Sequence, residues 1–190
     1  MPHIFNAQYN FVDMTKKLSF ALAIVAITWT IQSCTEERGN SYTSKTKVNA
    51  EGLKFIKTAH EAGLTEIEAS KIAKAKSANS QVKSFADMMI TDHTEMAKYV
   101  DSLAKDKFVM VLSNVSHDHQ IVLDSLAKKS GAEFDKAYME MMVADHEEAT
   151  ELFNENEKSN YSAVRKVAFR WSSILENHLK EAKQVQATLK

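Results

Sequence analysis

Apolar positions recur every three to four residues along most of this chain, the period of an α-helix rather than the two-residue alternation of a strand. One stripe holds Phe85, Met89, Met96, Val100 and Leu103, a second Tyr138, Met142, Ala149 and Phe153, and a third Val164, Val167, Trp171, Ile174, Ala182 and Val185. The spacing predicts helices over 51–61, 66–77, 81–105, 115–129, 133–157 and 161–189. Thr65 with Glu68 three residues on is a capping-box pattern, Asn79 or Ser80 and later Asn160 suit N-caps, and Gly131 suits the left-handed residue that ends a helix. Pro2 is the only proline, and Gly39, Gly52, Gly63 and Gly131 are the only glycines, so little punctuates the pattern. Long amphipathic helices with short connections predict an all-α, up-and-down bundle of four to six helices.

The first segment follows a different rule. Met14-Thr15-Lys16-Lys17 is a short basic start, Leu18 to Ile31 is a continuous apolar run, and Ile31-Gln32-Ser33-Cys34 follows. The run is short for a membrane span and has the layout of a secretory signal, residues 1–33, whose polar preface fits either translation beginning at Met14 or an added N-terminal extension. Ile31 to Cys34 resembles a lipobox, with Gln32 an unusual filling, so Cys34 is expected to be lipidated. Thr35 to Asn49 is polar and aperiodic, which makes 34–50 a tether and 51–190 the single folded domain. An acylated cysteine places the protein in the cell envelope, on the periplasmic face of a membrane or the outer membrane, with the membrane as its partner.

Composition removes several classes of function. Cys34 is the only cysteine, so disulfides, thiol catalysis and cysteine metal sites are excluded once it carries lipid. The formal net charge is −1, which gives nucleic acid no basic surface to bind. No Ser-His-Asp spacing and no phosphate-binding loop is evident, so binding is favoured over catalysis; the pattern names no protein partner.

What chemistry remains lies inside the apolar stripes. Met88 to Glu95 (Met-Met-Ile-Thr-Asp-His-Thr-Glu) returns nearly unchanged as Met141 to Glu148 (Met-Met-Val-Ala-Asp-His-Glu-Glu). At 100° per residue both Asp92-His93 and Asp145-His146 fall on the core side of their helices, and His178 falls on the stripe of the last one. His119 shares a face with Val115, Val122, Leu123 and Leu126, while His117 points away. Glu66 sits with Ala69 and Ala73. The offset of 53 residues that relates the two Asp-His pairs also carries Glu66 onto His119, which suggests two helix pairs about a pseudo-two-fold axis.

Seven ionisable groups, Glu66, Asp92, His93, His119, Asp145, His146 and His178, are thus expected to face inward. Buried ionisable groups must be paired, neutralised or bound. Imidazole and carboxylate together suit Fe, Zn, Mn or Cu, and helical bundles gather such ligands from facing helices. Two other arrangements satisfy the same residues: a metal-free hydrogen-bonded core, and copper held by Met89 with His93 and Met142 with His146, each pair four residues apart. Glu147, Glu148 and Glu151 make a solvated face.

Ala62-Gly63-Leu64-Thr65-Glu66-Ile67-Glu68 leading to Lys71-Ile72-Ala73, then Val82-Lys83-Ser84-Phe85-Ala86 through Met89 to Asp92-His93, resembles the bacterial envelope family known only as domain of unknown function 4142. Phe134-Asp135-Lys136-Ala137-Tyr138 through Met142 to His146, and His178, continue the likeness, which covers roughly 53–183. The resemblance implies a ferritin-like helical bundle, a periplasmic or outer-membrane location and no established activity. It places Glu66, Asp92, His93, His146 and His178 at the family's characteristic polar positions. The Glu-x-x-His pair of ferritin-type di-iron proteins is absent at Asp92-His93, Asp145-His146 and His178. Two functions follow as expectations: a divalent transition-metal binder, or a metal-free structural or interaction module of the envelope serving stress tolerance or partner binding.

Overall fold

The computed structural model describes residues 47–189. The expected signal segment 1–33, the lipidated Cys34 and the tether through Thr46 lie outside the described residues. Five helices and no strand occur among those described: α1 (Ala50–Lys76), α2 (Ser80–Asp106), α3 (His117–Lys128), α4 (Gly131–Asn156) and α5 (Ser162–Thr188).

Four long helices make the bundle and α3 lies outside it. α1 and α2 form one antiparallel hairpin and α4 and α5 the other; α1 also packs on α4, and α2 on α5. The contacts fix their directions. Lys47 N–H donates to the Lys107 carbonyl at one end, and Thr188 donates to Gln81 at the other. Phe55 near the start of α1 meets Phe153 near the end of α4, ring centroids 5.0 Å apart and edge to face. Each long helix therefore runs antiparallel to both of its neighbours. This requires the chain to return the whole length of the bundle between α2 and α4, and α3 makes that crossover, the single long connection that marks a ferritin-like bundle. Glu61 Oε1 on α1 accepts both Ser116 N–H and His119 Nδ1–H at 2.7 Å, and Lys76 donates to the Ala127 carbonyl, so α3 is fastened along the outside of α1.

The apolar stripes do what their period requires. Phe85, Met89, Met96, Val100 and Leu103 are all buried, as are Tyr138, Met142, Phe153, Val164, Val167, Trp171, Ala182 and Val185. The core falls into two clusters. One, around Phe55, Val100, Phe153, Val164 and Trp171, fills the end where α1 begins. The other, around Ala73, Phe85, Phe134, Tyr138 and Val185, fills the end where α1 finishes. Val48, before α1, is buried in the first cluster.

Several helix ends differ from the sequence expectation. The pieces 51–61 and 66–77 are one helix of 27 residues, capped by Asn49, whose side chain accepts Gly52 N–H at 2.9 Å. Thr65 does not cap: its hydroxyl donates to the Glu61 carbonyl one turn back, and Glu68 pairs with Lys71. An interior glycine costs a helix only about 1 kcal/mol, and the buried face that continues from Phe55 through Ala73 outweighs that. Asn79 caps α2 as expected. Gly131 does not end α3, which stops in extended backbone at Lys129; its positive φ of 55° is used to open α4. Tyr161 rather than Asn160 stands at the N-cap of α5, with no side-chain cap bond.

Gly63 and Gly131 are expected to respond oppositely to alanine. A Cβ at Gly63 would meet only Met96 Cε, at 4.0 Å, so Gly63→Ala should raise unfolding stability in urea by about 0.5–1 kcal/mol. Gly131→Ala meets no neighbour but must hold a left-handed φ, and should lower stability by about 1 kcal/mol. Destabilisation by Gly63→Ala would mean that α1 is broken there after all.

Candidate metal centre

Between the two apolar clusters the bundle has a polar layer, supplied by the middle of all four long helices. Glu66 on α1, His93 on α2, His146 on α4 and His178 on α5 are each no more than 3% exposed. Each lies on the buried stripe of its helix, which is why the same periodicity that builds the core also brings these groups together. The three imidazole centroids form a near-equilateral triangle with sides of 5.4, 5.4 and 5.5 Å. One ring nitrogen from each lies within 4.8 Å of the other two.

Every ring is oriented from outside the triangle. His178 Nε2–H donates to Asp92 Oδ2 at 2.9 Å, and His146 Nδ1–H donates to the Met142 carbonyl at 2.9 Å. His93 Nδ1 lies 2.8 Å from Glu66 Oε2, a close electrostatic contact in which the N–H direction is poorly aligned with the oxygen. Glu66 Oε1 stands 3.5 Å from His146 Nδ1, whose proton is already committed to Met142. What remains is His93 Nε2, His146 Nε2, His178 Nδ1 and Glu66 Oε1, all buried and none with a hydrogen-bond partner. A neutral imidazole that donates from one nitrogen has an acceptor lone pair on the other, so three ring nitrogens and a carboxylate oxygen are left in a buried layer with no donor among the described residues.

The local electrostatics favour an ionised Glu66 and disfavour protonation of His146 and His178. Burial alone would raise the Glu66 carboxyl, but His93, and behind it His146 and His178, outweigh it and hold the group below the usual carboxylate range. Burial pushes His146 down to about 4 against the pull of Glu66, so its ring is neutral near pH 7 and its free nitrogen is a ligand rather than a donor. Burial likewise lowers His178, opposed by its hydrogen bond to Asp92. One turn further along, Ser70 and Tyr138 share a hydrogen bond of 2.8 Å, and burial raises the phenol.

Of the seven residues the sequence nominates, the structure brings four into the layer, with Asp92 behind His178. Asp145 is partly buried outside the ring triangle. Burial, then the charges of Glu66 and Glu148, push its carboxyl up to about 7. His119 is a correction: it lies on α3, 42% exposed, with Nδ1 on Glu61 rather than in the core. α3 turns only Leu123 and Leu126 inward, and Val122 of the expected face is exposed. The pseudo-two-fold reading fails with it, because the 53-residue offset maps the bundle helix α1 onto this outer crossover. His60 escaped the sequence reading. It is buried between Asp101 Oδ1 (2.8 Å from Nδ1) and the Leu112 carbonyl (2.6 Å from Nε2). Its place one turn after Ile56, on the stripe with Ala59 and Gly63, was the available signal.

The residues of the layer fit a metal ion. Imidazole nitrogen with one carboxylate oxygen is a ligand set for Zn, Cu, Fe or Mn, and His146 and His178 already have the outer partners that fix the tautomer of a metal-bound ring. Tetrahedral bonds of about 2.0–2.1 Å place nitrogens about 3.4 Å apart, so side-chain shifts on the order of 1 Å would close the triangle on an ion. Met89 and Met142 are both fully buried, but it is the Met142 carbonyl, not its sulfur, that meets His146.

Over residues 39–185 the chain matches the model of the family described as "Domain of unknown function (DUF4142)". It is also similar to the crystal structure of a DUF305 fragment from Deinococcus radiodurans, with a TM-score of 0.66 and 11% identity over 75% of this chain and 99% of that one. At that identity the likeness concerns the fold alone. No curated protein gives a match. The family match spans α1 to α4 and α5 as far as Val185, and so takes in every residue of the polar layer: the chain belongs to the DUF4142 family.

Proposed function

We propose that this protein binds one divalent transition-metal ion at the centre of its bundle, held by His93, His146 and His178 with Glu66 as the oxygen ligand. The observation that carries this reading is the set of four buried, unpartnered acceptor atoms in one layer. A cation answers all of them at once, and no donor side chain is placed to do so. Asp92 and the Met142 carbonyl orient two of the rings. A single ion is favoured over a pair because Glu66 is the one fully buried carboxylate of the polar layer among the described residues, whereas dinuclear bundle sites use carboxylates from several helices. Lipidation of Cys34, and with it an envelope location, belongs to the same proposal and rests on the lipobox-like sequence alone. No helix among the described residues is long and apolar enough to cross a membrane.

Tag-free protein loaded with Zn, Mn, Fe or Cu in turn is expected to retain about one ion per chain of at least one of them after desalting, read by elemental analysis. His93→Ala with His146→Ala should abolish retention, and His119→Ala should leave it unchanged. Negligible metal after all four reconstitutions would remove the proposal and favour a metal-free polar network.

Asp92→Asn, which weakens the acceptor behind His178 without changing any ligand, should lower affinity for the retained metal by about 10–100-fold. Competition with a chromogenic chelator reads it. Chelation of the wild-type protein should lower its melting temperature, because binding to the folded state alone stabilises it. A melting curve unaltered by both metal and chelator would count against a buried site.

A further inference from the structure

We propose that the segment joining α2 to α3 is a membrane-surface contact, with Phe108, Met110 and Leu112 entering the interfacial region of a lipid bilayer. These three side chains are 61%, 78% and 53% exposed, whereas Val109 is buried and Val111 packs against the same core cluster. The alternation is imposed by the backbone. Val109 N–H donates to the Ala104 carbonyl and Phe108 N–H to that of Lys105, and His60 stands against the Leu112 carbonyl. With the odd positions anchored inward, the three large apolar groups are carried outward together on a short held segment. Phe108 also takes a φ of 57°, a left-handed conformation that costs an aromatic residue and not a glycine. Its ring is exposed rather than packed in the core, and the Lys47 ammonium lies 4.5 Å from its centroid.

The place of this segment identifies its occupant. Lys47 N–H donates to the Lys107 carbonyl at 2.9 Å, so the chain that leads back to Cys34 joins the bundle beside Phe108. The inference rests on the lipid-anchor part of the functional reading and not on the metal. Thirteen residues from Cys34 to Lys47 span at most about 45 Å however they run, while a 27-residue helix is about 40 Å long. Only a fully extended tether would let the far end touch the bilayer, so an acylated Cys34 keeps this end of the bundle the nearer one in nearly all of its arrangements. A tether adds to this contact by raising the local concentration of lipid, without being required for it.

The test uses mature chain carrying Cys34→Ser, which removes both the acyl group and the only thiol. Met110→Cys, labelled with an environment-sensitive dye, is mixed with phosphatidylethanolamine and phosphatidylglycerol vesicles. Ile121→Cys, exposed on α3, is the control. The dye at 110 is expected to blue-shift and to be quenched by acyl-chain quenchers, and the dye at 121 to stay unchanged. Met110→Glu with Leu112→Glu should reduce vesicle co-sedimentation by about tenfold or more while the melting temperature holds, since neither side chain is buried. No shift at 110, an equal shift at 121, or a shift that follows protein concentration without vesicles would overturn the proposal, the last pointing to a second copy of this chain. The mass of the mature N-terminus tests the anchor separately, so a failed anchor and a failed contact read differently.

Discussion

The demand of four ionisable side chains buried at the middle of the bundle organises this structure. Glu66, His93, His146 and His178 interrupt what would be a continuous apolar core and divide it into two clusters. Burying such groups without partners costs several kcal/mol, so they are tolerated only if something compensates them. Part of the compensation is internal: Asp92 and the Met142 carbonyl each take one ring proton, and Glu66 offsets its desolvation by proximity to three imidazoles. The rest is an unanswered set of lone pairs, and that incompleteness gives the layer its chemical meaning.

The bundle's topology makes the layer possible. With every long helix antiparallel to both neighbours, the central turns of all four meet at one level, and a residue near the middle of each helix reaches the axis. The crossover α3 makes this arrangement possible without contributing to it. It is fastened to α1 through Glu61, which accepts Ser116 N–H and His119 together. The same crossover begins in the segment that carries Phe108, Met110 and Leu112, so the element that returns the chain also supplies the exposed apolar end. The polar layer and the apolar end lie apart, and one can be altered without the other.

Much of this was legible from periodicity. The apolar stripes of α2, α4 and α5 are buried as read except at Ala149 and Ile174, which are partly buried, and the inward placement of Glu66, His93, His146 and His178 follows from the same count of 100° per residue. The errors fell where local signals compete with tertiary packing. Thr65 and Glu68 match a capping box, but α1 runs through because its buried face continues past Gly63. Gly131 has the left-handed backbone expected of it but spends it at the start of α4. His119 sits on an amphipathic helix whose apolar side meets α1 from outside, and periodicity does not reveal which side of another helix a face will meet.

Sequence by itself determined the helices, their buried faces and the residues able to serve as ligands, because these depend on side-chain type and on spacing within one element. Tertiary structure alone decided which of seven nominated groups meet: it united four, placed Asp92 behind one of them, left Asp145 at the margin and sent His119 to the surface. It also decided that the loop's apolar residues face solvent beside Lys47. The reason is physical. Periodicity constrains the rotation of a residue about its own helix axis, whereas a site requires the relative height and order of several axes, and these are set only when the crossover and the core are packed.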